Sequence, residues 1–195
     1  MDEDLEFVTL CQGGNVDAFR PLVEKHQKKM LNIANRMVGD YEAACEVVQD
    51  AFLHAYKAIR KFRGEAKFST WLCRIVINLS KNRIKQMKTH SEREGVSLDA
   101  PIETEDGQVP HDPPAQEPSA LEQMERKEVE RAVQVCINAL DNDYREVLVL
   151  RDIQGLSYDE IGEILKIPGG TVKSRLFRAR DALKEGLKKV LGERS

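Results

Sequence analysis

Apolar residues recur along this chain at steps of three and four, and no segment shows the two-residue alternation of a half-buried strand, so the pattern predicts helices throughout. Leu22, Val23, Met30, Ala34, Met37 and Val38 form one apolar stripe, which Gly39-Asp40 ends. Ala44, Val47, Val48, Ala51, Phe52, Ala55 and Ile59 form a second and predict a helix from about Tyr41 to Lys61. Gly64 marks a loop, after which Thr70 is placed to cap a third helix. That helix would bury Trp71, Leu72, Ile75, Val76 and Leu79, while Arg74, Asn78, Lys81, Asn82, Lys85 and Lys88 share its other face.

The helical spacing lapses between Ser91 and Ser119. Five of the seven prolines fall from Pro101 to Pro118, the stretch has no aromatic residue, and acids outnumber bases. Such a segment cannot bury enough apolar surface to fold, so it reads as a linker. The expected architecture is all-α: a helical domain at 1–88, an acidic Pro-rich linker at 89–119, and a second helical domain at 120–195.

In the second domain Leu121, Met124, Val129, Ala132, Val133, Cys136, Ile137 and Leu140 predict a long helix, and Asp141-Asn142-Asp143 a cap for the next, which carries Val147, Leu148 and Leu150. Ser157-Tyr158-Asp159-Glu160 is a capping box, in which hydroxyl and carboxylate each satisfy an orphan backbone donor. A short helix with Ile161, Ile164 and Leu165 follows. Gly162 within it suggests a close helix crossing, and Pro168-Gly169-Gly170 a tight turn before Thr171 caps the last helix. This is a helix-turn-helix layout. Val172, Leu176, Ala179, Leu183 and Leu187 would be buried, leaving Lys173, Ser174, Phe177, Arg178 and Asp181 facing outward.

Charge sharpens the picture. The chain has 195 residues, 41% of them hydrophobic, and a net charge of −3, which hides strong segregation. Residues 57–90 hold ten bases against one acid, and 166–195 nine against three, whereas 91–130 hold three bases against twelve acids. Two basic patches separated by acidic chain can grip phosphates in two places. Around the first, Phe62, Phe68 and Trp71 bracket Arg63, Gly64 and Lys67, the mixture of rings and cations that unstacked bases need; Trp71 is expected to be buried structure. In the second, an outward Phe177 gains a partner in a major groove, where its ring can press a thymine methyl while Lys173 and Arg178 reach guanine edges or phosphates.

Other chemistries find little support. The four cysteines (Cys11, Cys45, Cys73, Cys136) are far apart and the four histidines scattered, so no zinc site or disulfide framework is suggested. There is no P-loop, GxGxxG or HExxH motif, and neither an enzyme nor a cofactor is expected. Without a signal-like start or a membrane-length apolar run, the expected protein is soluble and cytoplasmic.

Four ordered motifs carry a resemblance: Gln49-Asp50-Ala51-Phe52; Phe62-Arg63-Gly64 followed by Phe68-Ser69-Thr70-Trp71-Leu72; Arg74-Ile75-Val76-Ile77-Asn78; and Gly170-Thr171-Val172-Lys173-Ser174-Arg175-Leu176. Over nearly the whole chain they resemble the extracytoplasmic-function sigma factors of the sigma-E type, dissociable promoter-reading subunits of bacterial RNA polymerase. The resemblance implies that 1–88 is sigma region 2 and 120–195 the winged-helix-like helix-turn-helix of region 4. It implies core polymerase as a partner through the clamp helices of the largest subunit and the flap, with Glu46, Gln49, Asp50 and Leu53 as the first domain's contacts. It implies capture of a flipped minus-ten base by the loop 62–70 and Asn78, with Phe62, Arg63, Lys67 and Phe68 in that loop and Arg74 and Lys81 on phosphates. Lys173, Ser174, Phe177 and Arg178 are implied as minus-thirty-five readers, with Thr171 and Arg175 on the DNA backbone. An anti-sigma partner is implied as well. The chain departs from the family at Cys45, usually acidic, and at Cys73, often aromatic.

Two promoter elements about two helical turns apart, each turn roughly 34–36 Å, lie ~70 Å from one another. The linker spans ~110 Å fully extended but averages only ~30 Å as a coil. The free subunit is therefore expected to bind promoter duplex poorly until polymerase spreads its domains. The alternative from the residues alone is a helix-turn-helix regulator that binds duplex operator.

Overall fold

The computed structural model describes residues 4–94 and 120–192, among which there are eight α-helices and no strand. They are α1 (Asp4–Gln12), α2 (Phe19–Val38), α3 (Tyr41–Ala58), α4 (Phe68–Glu94), α5 (Ala120–Asn138), α6 (Asn142–Leu148), α7 (Tyr158–Leu165) and α8 (Gly169–Gly192). Of the linker expected at 89–119, residues 95–119 lie outside the described residues, as does the side chain of Leu121. α4 continues through Glu94, into the stretch assigned to the linker.

The apolar stripes do what their spacing requires. Leu22, Met30, Ile33, Ala34 and Met37 of α2 meet Ala44, Val47, Ala51 and Ala55 of α3, and Leu72, Val76 and Ile77 of α4 close the bundle. α2 stops at Gly39, whose φ of 82° gives a left-handed cap that donates to the Asn35 carbonyl at 2.8 Å. Glycine is needed there twice over, because a Cβ would also overlap the Asn138 side chain. Asp40 caps α3 by accepting from the Ala43 amide at 2.7 Å. The predicted helix to Lys61 divides into α3 and a 3-10 turn, Ile59–Lys61.

α1 has a weak apolar pattern and was not legible in the sequence. It is held by Val8 and Cys11 in the core and by a buried carboxylate, Asp4, which lies 2.7 Å from His26 Nε2 and 2.9 Å from Lys25 Nζ. Burial pushes the Asp4 carboxyl up, but the hydrogen bonds and charge of Lys25 and His26 outweigh it and hold the group below its usual value.

In the C-terminal half, α6 runs into one wide π turn, Val149–Ile153, with Val149 and Leu150 fully buried. Arg145 is 2% exposed and ties the α5–α6 corner together by donating to the carbonyls of Leu140 (3.0 Å) and Asn138. Its other Nη donates to the Met37 carbonyl at the end of α2, at 2.7 Å. Four local expectations are corrected. Asp141 makes no side-chain cap, and α6 starts on backbone bonds to its carbonyl. Thr70 and Thr171 are not caps, because α4 already begins at Phe68 and α8 at Gly169, where Pro168 accepts from the Thr171 amide at 2.9 Å. Gly162 faces the Ile167 carbonyl of the following turn, not a crossing helix.

Candidate nucleic-acid interface

The loop between α3 and α4 is shaped by aromatic packing. The Phe62 ring lies 5.1 Å from Trp71, tilted by 44°, and meets Phe68 edge-on at 6.1 Å, and Phe68 lies 5.8 Å from Trp71 and 5.7 Å from His26. Gln12 of α1 pins the loop from behind, its Nε2 donating to the carbonyls of Ile59 (3.0 Å) and Phe62 (2.8 Å). Gly64 turns the chain with φ of 72°. Arg63 and Lys67 are exposed beyond it, and a cavity of about 420 Å³ opens beside Phe62, Gly64, Lys67 and Phe68. Asn78 is exposed one helical turn past Arg74.

Burial reassigns two aromatics. Phe68, expected to meet a base, is 1% exposed and belongs to the core, so it offers no free ring face. Trp71, expected to be buried structure, is partly buried and packs on the core's edge beside Phe62. Alternation of rings and cations in sequence marks the cluster but not which ring is covered, since that depends on α1 and α2 closing over it.

The outward face of α3 carries Glu46, Gln49, Asp50 and Leu53, all exposed; Glu46 is paired with Arg83 of α4 at 2.7 Å. Cys45 lies exposed on this helix, whereas Cys73 is buried in α4 and its thiol is pushed up to about 12 by burial.

The helix-turn-helix is built from α7, a turn, and α8. Ser157 and Glu160 form the expected capping box, with Ser157 Oγ accepting from the Glu160 amide at 3.2 Å and Glu160 Oε2 accepting from the Ser157 amide at 2.8 Å. The Ser157 amide, and the Ser157 hydroxyl that also donates to Oε2 at 2.9 Å, hold the Glu160 carboxyl below its usual range, with lesser help from the positive charge of Lys67 and Lys29. The turn is made by Lys166 at φ 56°, ahead of Pro168. It precedes the pair of glycines predicted to form it, and both glycines are helical.

α8 buries Val172, Leu176 and Ala179 and turns Lys173, Ser174, Phe177 and Arg178 outward, with Phe177 75% exposed. Lys173 Nζ lies 5.8 Å over the Tyr158 ring, and Ser174 Oγ donates to the Thr171 carbonyl at 3.1 Å. Arg175, expected on the DNA backbone, is instead turned inward onto Asp143 (2.5 Å) and Glu146 (3.4 Å). Glu146 is nearly buried, and burial raises its carboxyl above the usual value despite Lys81 and Arg175 nearby. Arg74 and Lys81, expected on phosphates, also have protein partners: Arg74 donates to the carbonyls of Glu163 (2.6 Å) and Ile164 (3.1 Å), and Lys81 to Glu146 Oε2 (3.0 Å). These acidic and carbonyl partners were missed by sequence reasoning, which saw Glu160 as a cap only and could not place α7 against α4.

A helix-turn-helix behind a separate aromatic-basic loop defines a helical class of transcription protein, and comparison with known proteins narrows it. Residues 22–89 match the family model described as Sigma-70 region 2, and residues 130–183 the model described as Sigma-70, region 4. The chain is 37% identical over 192 residues to the RNA polymerase sigma-H factor of Pseudomonas aeruginosa, covering 98% of this chain and 97% of that one. It is 37% identical over 182 residues to the extracytoplasmic-function sigma factor SigW of Bacillus subtilis (90% and 91% covered), and 36% identical over 180 residues to the sigma-E factor of Escherichia coli (92% of each). Among solved structures it is similar to CnrH in complex with the cytosolic domain of CnrY, with a TM-score of 0.68 and 26% identity over 96% of this chain and 99% of that one. The chain belongs to the sigma-70 family, among the extracytoplasmic-function sigma factors.

No helix among the described residues is long and apolar enough to cross a membrane.

Proposed function

We propose that this chain is an alternative sigma factor that binds core RNA polymerase in the cytoplasm and directs promoter-specific initiation, in a stress or envelope response, under the control of an anti-sigma partner. Its first domain, at 1–88, meets the polymerase clamp through Glu46, Gln49, Asp50 and Leu53. It captures a melted minus-ten base with Phe62, Arg63, Lys67 and Asn78, while Arg74 and Lys81 hold phosphates once released from their protein partners. A linker at 89–119 leads to the domain at 120–195, where Lys173, Ser174, Phe177 and Arg178 read the minus-thirty-five element. A flipped base costs a few kcal/mol of unstacking, which binding in the pocket offsets. No catalytic group is required, because polymerase performs the chemistry.

One observation carries the reading: a single chain presents a ring-and-cation loop suited to unstacked bases and, on a different helix, an exposed Phe177 flanked by Lys173 and Arg178, suited to a major groove. A duplex-binding regulator uses only the second. The test is run-off transcription with bacterial core polymerase, in which adding the chain should create new, discrete start sites. Failure to associate with core, or association without any change in where transcripts begin, overturns the reading.

A further inference from the structure

The tip of the loop between α3 and α4 is not held by packing. Gly64 lies in open space, where even a Cβ would meet nothing within 4 Å, and Arg63 and Glu65 are both well exposed and 3.9 Å apart. The shape of the loop is set instead at the turn from which it springs. The Phe62 amide donates to the Ile59 carbonyl at 3.0 Å and closes the 3-10 turn. Gln12 Nε2 carries two hydrogens and directs one to that same Ile59 carbonyl, at 3.0 Å, and the other to the Phe62 carbonyl, at 2.8 Å. A single side chain from α1 thus bridges both ends of the turn. Because the peptide unit is planar, holding the Phe62 carbonyl also fixes the direction in which Arg63 leaves the chain.

Gln12 is itself firmly placed. It is the last residue of α1, half-buried, and the chain is anchored on both sides of it. Before it, Asp4 is bonded to Lys25 and His26, and Val8 and Cys11 are in the core. After it, the chain turns at Gly14 (φ 98°), and the Asn15 amide donates back to the Leu10 carbonyl at 3.0 Å. Leu5 and Val8 line the cavity together with Phe62 and Lys67, so α1 forms part of the wall beside the loop. The core contacts would hold α1 with any residue at position 12; it is the amide on two carbonyls that couples this helix to the loop.

We propose that Gln12 is a positioning residue for minus-ten recognition: it holds the Phe62–Arg63 segment in the shape that receives an unstacked base, so that binding does not have to order the loop. This rests on the reading of the loop as the single-strand site. Without the two bonds the loop adopts its receiving shape only part of the time, and base-specific binding falls by that fraction.

The holoenzyme provides the test, with fork-junction DNAs built on a promoter mapped by run-off transcription, the minus-ten strand single and carrying each base in turn at each melted position. Wild type should favour one base at the captured position by about tenfold or more. Gln12→Leu, similar in volume but without donors, should bring that ratio below about threefold, with affinity for core polymerase unchanged. Cys11→Ala loosens the same helix without touching the loop carbonyls, so it should lower the melting temperature and leave the base ratio near the wild-type value. Gln12→Lys, whose ammonium has donors for both carbonyls, should also keep the ratio, and it serves where leucine disturbs assembly. With a discriminating wild type, an unchanged ratio in Gln12→Leu, an equal loss in Cys11→Ala, or a lysine variant that no longer discriminates overturns the positioning role alone. A wild-type holoenzyme indifferent to every base of the single strand loses the single-strand reading, and the role of Gln12 with it.

Discussion

Arg145 is a guanidinium almost wholly removed from water, and truncating it should be costly. It donates to three carbonyls, those of Met37, Asn138 and Leu140. Burial pushes its pKa down and the charge of Asp141 opposes that, so the site holds the ion at a desolvation cost that the three acceptors offset. Arg145→Met keeps an unbranched apolar stem but removes every donor. Each carbonyl left buried without a partner costs about 1–3 kcal/mol, while release from guanidinium desolvation returns several kcal/mol. A net loss of about 3 kcal/mol is expected. In a chain of this size 1 kcal/mol moves the melting temperature by about 2–4 °C, so the midpoint should fall by roughly 6–12 °C in far-ultraviolet circular dichroism. Arg145→Lys, a point charge that reaches fewer acceptors, should lose about half as much. A methionine variant within about 1 kcal/mol of wild type, or a lysine variant no better than methionine, would show that the three bonds do not hold this corner.

Three further outcomes are expected. Phe68→Ala should destabilise by about 3–5 kcal/mol in urea denaturation, because it empties a packed site; a loss under about 0.5 kcal/mol would return Phe68 to the surface. Arg178→Ala should weaken recognition of the upstream element by about 1–3 kcal/mol in competition binding of the holoenzyme, with the melting temperature unchanged; equal loss on all sequences would deny it a base contact. The depressed carboxyl of Asp4 contributes stability that is present above its unfolded value and disappears as pH falls through the folded one. Asp4→Asn should therefore lower stability at neutral pH and flatten the fall in stability below about pH 4; parallel acid titrations of the two proteins would refute this.

Much of the architecture is local and was readable. The stripes of α2, α3 and α4, the Asp40 boundary and the Ser157–Glu160 box depend on neighbours within one or two turns, and the structure places them where spacing puts them. The outward face of α8 was equally legible, since burying Val172, Leu176 and Ala179 leaves Phe177 nowhere else to point. α1 was missed because its apolar pattern is short and its anchor, Asp4 on His26, joins residues 22 positions apart in the sequence.

What the residues by themselves determined is therefore the helices, their apolar sides, the segregated charge and the motifs that mark a sigma factor. Tertiary structure alone decided which of the chemically able side chains are free. Phe68 and Arg175 look like DNA ligands in sequence and are spent on a core and on an acidic pair, and Arg74 and Lys81 are paired across more than sixty residues of intervening chain. The reason is physical: amphipathic spacing is set by the period of one helix, whereas burial and ion pairing are set by whatever other helix arrives at that face.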